Sequence, residues 1–297
     1  MKAIITHRYL PRRILSLAVD FKDIDFISPR NSAIGCDYAG EVVRVGKNSE
    51  RRWKIGDRIA GFVHGGLYPD IGSFAEYVKV DGDLAWKVPD ELTLGEATTY
   101  GVPAATAMLS LAYLDIPWVD IENGRSAQGY NVVATASPRS FDLAKRYGAD
   151  AVYDYRTSAS IGEIKKAYPN ITKALDCFSE GSSAAFCADV LREGKVVTLL
   201  DQGKPKKATV TYAFLMVYSV FGRKFQLMAP LGPVFPVMPA DREVIGKFYG
   251  SLATLSLDAV RPPPITMIKG EFKEIFDGLE TLRNGEGRGT KLVIEFQ

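Results

Sequence analysis

With three cysteines in 297 residues a four-thiolate structural site is impossible, and only two histidines, His7 and His64, are on offer to a catalytic one. Structural zinc takes four Cys or His ligands and catalytic zinc at least three well-placed ones, so no metal site is expected. Cys36, Cys177 and Cys187 do not pair evenly, which argues against a disulfide framework and fits a reducing compartment. No stretch approaches the ~20 apolar residues of a membrane span. No apolar run follows the first positive charges, so a secretory signal is not expected. The net charge of +2 gives no reason to invoke nucleic acid or an acidic membrane surface. A cytoplasmic location is the expectation.

The most informative absence is a motif. Residues 129–155, from Gly129 through Ala134–Ser137 to Tyr155, read as the adenosine half of a dinucleotide-binding sheet. A strand, a glycine-rich turn and a helix should precede them and hold the pyrophosphate on helix N-terminal amides. Those elements need about 25 residues, and the polar link from Pro117 to Gly129 cannot hold them. Gly124 and Gly129 are suggestively spaced, but no strand precedes them and no amphipathic helix follows, so they fail as a phosphate loop. Losing the central strand leaves two inner edges that must pair with each other or stand apart.

What is present is ordinary for a globular protein. A hydrophobic content of 46% and a charged content of 24% suit one large or two ordinary domains. Residues 32–90 read as a glycine-punctuated antiparallel unit, with strands expected over Glu41–Gly46, Lys54–Phe62 and Gly72–Val80. From Ala97 to Leu114 the composition turns helical. Asn131–Ala136, Ala151–Tyr155, Ala174–Phe178 and Lys195–Leu200 are short buried-strand patterns with helices between them, which argues for a parallel α/β sheet. Ser137-Pro138 opens a helix and Gly148 closes it. Helices are expected over residues 243–260 and Phe272–Arg283, and a last strand over Lys291–Phe296.

Four constellations could carry chemistry. The first strand of the alternating region ends in Ser137-Pro138-Arg139-Ser140, without the acid that selects NAD. The Ser137 hydroxyl, the Arg139 guanidinium and the helix-start amides could meet a phosphate; equally, Ser137 is a helix cap and Arg139 a solvated side chain. Gly35-Cys36-Asp37-Tyr38-Ala39-Gly40 has the spacing of Gly-His-Glu-x-x-Gly in zinc alcohol dehydrogenases, with Cys-Asp in place of His-Glu. Cys36 reads as a buried small residue, because no histidine is spaced nearby to activate it. Gly-x-Gly-x-Gly at 285–289 reads as a turn before the last strand. The aromatics Tyr212, Phe214, Tyr218, Phe221 and Phe225 read as core in preference to a cleft lining.

Together these residues resemble the zinc-free branch of the medium-chain dehydrogenase/reductase superfamily, and more narrowly the fungal trans-acting enoyl reductases of polyketide biosynthesis. The carriers are Gly35–Gly40, Val45-Gly46, Val88-Pro89, Ala134–Ser137 with Phe141–Lys145, Asp154–Arg156, Ala174–Cys177 and Gly289–Val293. The resemblance implies an α/β fold: a chaperonin-10-like β-barrel over residues 1–95, an incomplete Rossmann-type parallel sheet over 96–245, and a segment over 246–297 that returns to the barrel. It implies NADPH as cofactor, with hydride passing to the β-carbon of an unsaturated thioester. The implied cofactor contacts are Asp20, Phe21, Ser137, Pro138, Arg139, Ser140, Tyr155, Leu199, Leu200, Gly289 and Thr290. The implied substrate contacts are Ala107, Met108, Leu111 and Leu114 on one helix, and Tyr218, Ser219, Val220, Phe221 and Gly222 on one turn. The family's Asn-Pro-x-Asp stands here as Leu17-Ala18-Val19-Asp20. The implied partner is a polyketide synthase or hybrid polyketide–peptide synthetase presenting a carrier-tethered chain to a monomeric enzyme. No proton donor is assigned. Two alternatives accompany this reading: a non-catalytic remnant that binds no cofactor, and a zinc-independent quinone reductase.

Overall fold

The computed structural model describes residues 32–117, 130–253, 260–286 and 289–296. Asp20, Phe21 and the link after Pro117 lie outside the described residues. The chain forms two compact units, one from residues 1–105 and 218–297 and the other from 106–217.

In the first unit, β1 (Asp37–Glu41), β2 (Arg58–Phe62) and β3 (Ala85–Lys87) form an antiparallel sheet in that order. The strand expected over Glu41–Gly46 begins and ends earlier. Asp37–Glu41 takes the ladder to β2, and Val42 closes it by hydrogen-bonding residues 56 and 57. Gly72–Val80 is not a regular strand. Ser73 and Phe74 instead donate to the carbonyls of Gly35 and Ile34, so tertiary hydrogen bonds replace a ladder. Trp86, Leu84, Phe62 and Val63 are buried and supply the core of this unit.

The composition-predicted helix around residues 97–114 forms in two pieces, α1 (Leu94–Ala97) and α2 (Val102–Tyr113), with a 3-10 turn over Thr98–Tyr100 between them. The break follows from Asp37, whose Oδ1 accepts the Val102 amide at 2.6 Å. A Cβ on Gly101 would stand 2.2 Å from that oxygen, so only glycine fits. The other Asp37 oxygen accepts from Lys291, which also donates to the Thr98 carbonyl at 2.8 Å. One half-buried carboxylate thus joins the barrel, a helix start and the last strand.

Two short strands, β9 (Phe225–Gln226) and β10 (Val234–Phe235), pair antiparallel; the last strand β12 (Lys291–Phe296) runs parallel to β11 (Ile265–Gly270), and helix α7 (Phe272–Arg283) crosses between them. Ile275, Phe272, Phe276 and Leu279 of α7 pack with Ile294 and Phe296 against Ile34 and Phe74. The C-terminal segment therefore shares a core with the barrel. Residues 96–105 also belong to this unit: Tyr100 donates to the Val260 carbonyl, and Tyr249 of α6 (Pro239–Leu252) donates to the Tyr100 carbonyl. The units part at 105/106 and 217/218, where sequence texture had suggested 95/96 and 245/246.

The second unit holds two separate parallel sheets. One pairs β4 (Val133–Ala136) with β5 (Ala151–Asp154), joined by a 3-10 turn (Pro138–Ser140) and helix α3 (Phe141–Arg146). The other has β7 (Gly194–Thr198) between β6 (Lys173–Asp176) and β8 (Val210–Phe214). Its core is Ala188, Leu191, Val196 and Val210, with Tyr212 packed on it. Helix α4 (Ser160–Ala167) leads from the first sheet toward the second, and α5 (Ser183–Val190) joins β6 to β7.

Among the described residues, β4 and β6 do not pair with each other. The two inner edges expected from the missing strand therefore stand apart. The effect on burial is large. Parallel strands are normally covered on both faces, yet no described residue from Ile116 to Ala159 is buried, and Tyr130 and Val132 are exposed.

Candidate functional site

The second unit brings the residues expected to meet the adenosine half of a cofactor to the carboxyl ends of β4 and β5, where open parallel sheets receive ligands. Ala136 and Asp154 are registered partners, so Ser137 and Tyr155 leave adjacent strand ends side by side. Ser137 has the extended backbone of an N-cap and its carbonyl accepts the Ser140 amide at 2.8 Å. Its hydroxyl caps no backbone group and stands 3.5 Å from the Ser140 hydroxyl. Pro138 and Arg139 are exposed, Ser140 is half-buried, and Tyr155 is 54% exposed. Arg139 forms no ion pair among the described residues. Asp154, which ends β5, is not a free negative charge. Arg156 donates to both its oxygens at 2.9 and 2.7 Å and holds its carboxyl below the usual carboxylate range.

Two hydroxyls, an uncommitted guanidinium and an exposed aromatic ring stand together here, with Asp154 paired to Arg156, and donors of this kind suit a phosphate group. Leu199 and Leu200 follow β7, half-buried and exposed respectively, at the strand end where the same rule places the far half of a dinucleotide. These residues fit a nicotinamide cofactor at its two ends. The chain offers no glycine-rich loop for the pyrophosphate between them.

The predicted substrate helix is α2. Met108 and Leu114 are buried on it, Leu111 is half-buried and Ala107 is exposed. The predicted substrate turn, Val217–Phe221, is a 3-10 turn. Ser219 and Val220 are buried there, and the Ser219 hydroxyl donates to Asp241, itself buried in the first turn of α6. Arg242 donates to the Phe221 carbonyl at 2.9 Å and pairs with Asp81 and Asp83. The turn is thus pinned to α6, leaving Tyr218 half-buried. Gly289 has a φ of 78° before β12, and the Thr290 hydroxyl lies 3.2 Å from that of Thr266.

Sequence spacing put no histidine near Cys36, but the fold supplies one. The Val63 amide donates to the Cys36 carbonyl, which brings His64 alongside. The His64 ring stacks on Tyr218 at 3.9 Å and 3°, with Phe225 at 4.8 Å edge-on, and the Tyr218 hydroxyl lies 3.1 Å from Cys36 Sγ. Burial depresses His64 to about 4, so it is neutral near pH 7. Burial also pushes the Cys36 thiol up, and the Tyr218 hydrogen bond only partly offsets it. Tyr218 is raised well above its ordinary value, again chiefly by burial. The cluster is an uncharged, proton-retaining wall with no thiolate. No local signal could have revealed it, because Cys36 and Tyr218 are 182 positions apart. Among the described residues no group of acids, histidines and cysteines could hold a metal ion.

Comparison with known proteins bears on this arrangement. Residues 13–90 match the alcohol dehydrogenase GroES-like domain. A trans-enoyl reductase of Aspergillus niger, caaB, is 33% identical over 316 residues, spanning 93% of this chain and 86% of that protein. The structure resembles the CurK enoyl reductase, with a TM-score of 0.67 at 15% identity, covering 89% of this chain and 80% of that one. It also resembles the Bacillus subtilis protein yhfP, solved with NAD bound, with a TM-score of 0.58 at 18% identity, covering 94% and 88%.

Proposed function

This chain belongs to the trans-enoyl reductase family within the medium-chain dehydrogenase/reductase superfamily, and from that membership we propose that it reduces the carbon–carbon double bond of an α,β-unsaturated thioester. The thioester is a polyketide intermediate tethered to the carrier of a separate polyketide synthase or polyketide–peptide synthetase. The enzyme works in trans, as a monomer, in the cytoplasm. The observation that carries this reading is likeness to a trans-enoyl reductase along nearly the whole chain, joined to an acid-free strand end that presents Arg139.

NADPH is the cofactor we assign; when bound it supplies hydride to the β-carbon. Arg139, Ser137 and Ser140 hold its 2′-phosphate, and Tyr155 covers the adenosine. Leu199 and Leu200 face the nicotinamide end, and Gly289 and Thr290 are assigned separately as cofactor contacts. Met108 and Leu111 on α2, and Tyr218 and Phe221 on their own turn, are the acyl-chain contacts we assign. With His64 neutral and Cys36 a thiol, no charge from this wall competes for the thioester.

A second reading, that the chain is a non-catalytic remnant, draws on the separated sheets of the second unit and the missing phosphate loop. Titration of the folded protein with NADPH, followed by nicotinamide fluorescence, discriminates. Saturable micromolar binding, with turnover of a carrier-bound enoyl thioester, supports the reductase. No binding supports the remnant. Faster turnover of free quinones than of enoyl thioesters would instead support a quinone reductase.

A further inference from the structure

The carboxyl ends of β6 and β7 are tied by a ring of buried polar groups that the assigned contacts do not use. Asp176, the last residue of β6, is buried. Its Oδ1 accepts the amides of Phe178 at 3.1 Å and Ser179 at 3.0 Å, and its Oδ2 accepts the Ser183 hydroxyl at 2.8 Å. Ser179 is also buried, with a φ of 56°. A left-handed conformation is unfavourable for a non-glycine residue and persists only where its surroundings enforce it. Its hydroxyl donates to the Asp176 carbonyl at 3.0 Å and accepts the Leu199 amide at 2.8 Å, and its own carbonyl accepts from Gln202 at 2.6 Å. Ser179 therefore crosses from one strand end to the next with both its side chain and its main chain.

This ring sets two outward-facing groups. Phe178, immediately before the strained residue, is 65% exposed, and Leu200, immediately after the amide that Ser179 holds, is 46% exposed. A large apolar side chain held in solvent beside a strained, fully hydrogen-bonded serine marks a binding edge. It stands where an open parallel sheet receives its ligand.

We propose that Asp176, Ser179 and Gln202 are positioning residues for the nicotinamide riboside half of the cofactor. Acting through the Leu199 amide and the Phe178 backbone, they hold Leu199, Leu200 and Phe178 as a preorganised apolar shelf. The proposal rests on the dinucleotide reading above. It adds that the nicotinamide end is gripped by a device independent of Ser137–Ser140, which matters more in a chain without a phosphate loop.

The test separates the two ends of the cofactor by measuring the binding of NADPH and of 2′,5′-ADP, which reaches only the adenosine end. Ser179→Ala should weaken NADPH about tenfold, equivalent to ~1.4 kcal/mol, and leave 2′,5′-ADP within twofold. Gln202→Ala, at the half-buried rim, should act in the same direction by about threefold and covers the case in which the first variant does not fold. Arg139→Ala should weaken both ligands together. The proposal is overturned if Ser179→Ala and Gln202→Ala leave NADPH affinity unchanged, or if both ligands weaken in step with a lowered melting temperature, which is the behaviour of a merely structural turn. If the unaltered protein binds 2′,5′-ADP but gains nothing from the nicotinamide half, the shelf alone is refuted. If it binds neither ligand, the dinucleotide reading falls and takes the shelf with it.

Discussion

Acid should destabilise the barrel-bearing unit through one side chain. His64 is 5% exposed, enclosed by Tyr218 and Phe225, and burial lowers it from 6.5 to about 4. Between those values the folded protein binds fewer protons at this site than the unfolded chain. The stabilisation is therefore complete above pH 6.5 and is lost as the pH falls toward 4. Integrating that difference predicts a loss of about 2 kcal/mol by pH 5 and about 3 kcal/mol by pH 4, relative to pH 7.5. Carboxylates also titrate in this range, so the comparison must be with His64→Phe, which keeps a ring on Tyr218 but cannot ionise. Trp53 and Trp86 are buried in the first unit. Urea unfolding followed by tryptophan fluorescence in a Trp118→Phe background would report on that unit. The unaltered protein should lose these amounts beyond whatever His64→Phe loses at each pH. Parallel pH profiles for the two proteins would refute the argument and mean that His64 is hydrated in solution.

Three further outcomes are expected. Arg139→Ala should raise the dissociation constant for NADPH by about 10- to 150-fold, the loss of a charge-assisted contact worth ~1.5–3 kcal/mol, while NADH binding changes little; equal losses for both cofactors would remove Arg139 from the 2′-phosphate. Asp37→Ala strands the largely buried Lys291 and the Val102 amide, so chemical denaturation should show about 3–5 kcal/mol lost, with Asp37→Asn costing less because it still accepts from Val102. Hydrogen exchange should be far faster in β4 and β5 than in β7, because the former lack buried residues and an inner neighbour; equal protection would mean that the two sheets close on each other in solution.

How much was legible beforehand depended on how local the signal was. Helix α7 and strand β12 form over the residues their patterns marked, because an amphipathic period and a strand alternation need no distant partner to be read. The strand, Ser-Pro turn and helix start over residues 133–146 were equally legible, since their signals are consecutive. By contrast, Glu41–Gly46 and Gly72–Val80 both have strand composition. Yet Asp37–Glu41 takes the ladder, and residues 73 and 74 are drawn to Ile34 and Gly35. Propensity there was overruled by which backbone could reach a partner.

Other features had no local signal at all. His64 meets Tyr218 across the first unit, Asp37 meets Lys291 from the far end of the chain, and Ser179 joins two strand ends. In each case one or two ordinary-looking polar residues gain their role only from burial beside each other. Burial is what neutralises His64, makes Asp37 indispensable and sustains the strain at Ser179.

The sequence by itself determined the α/β class, the helix over Phe272–Arg283, the strand over Lys291–Phe296, the acid-free end of β4, and a link after Pro117 too short for a strand, glycine-rich turn and helix. Those are properties of consecutive residues or of chain length. Only the tertiary structure decided that β4 and β6 stand unpaired, that the substrate turn is pinned by Asp241 and Arg242, and that Cys36 lies in an uncharged aromatic wall. These depend on which distant groups exclude water from one another, and hydrogen-bond strength and proton affinity follow from that exclusion.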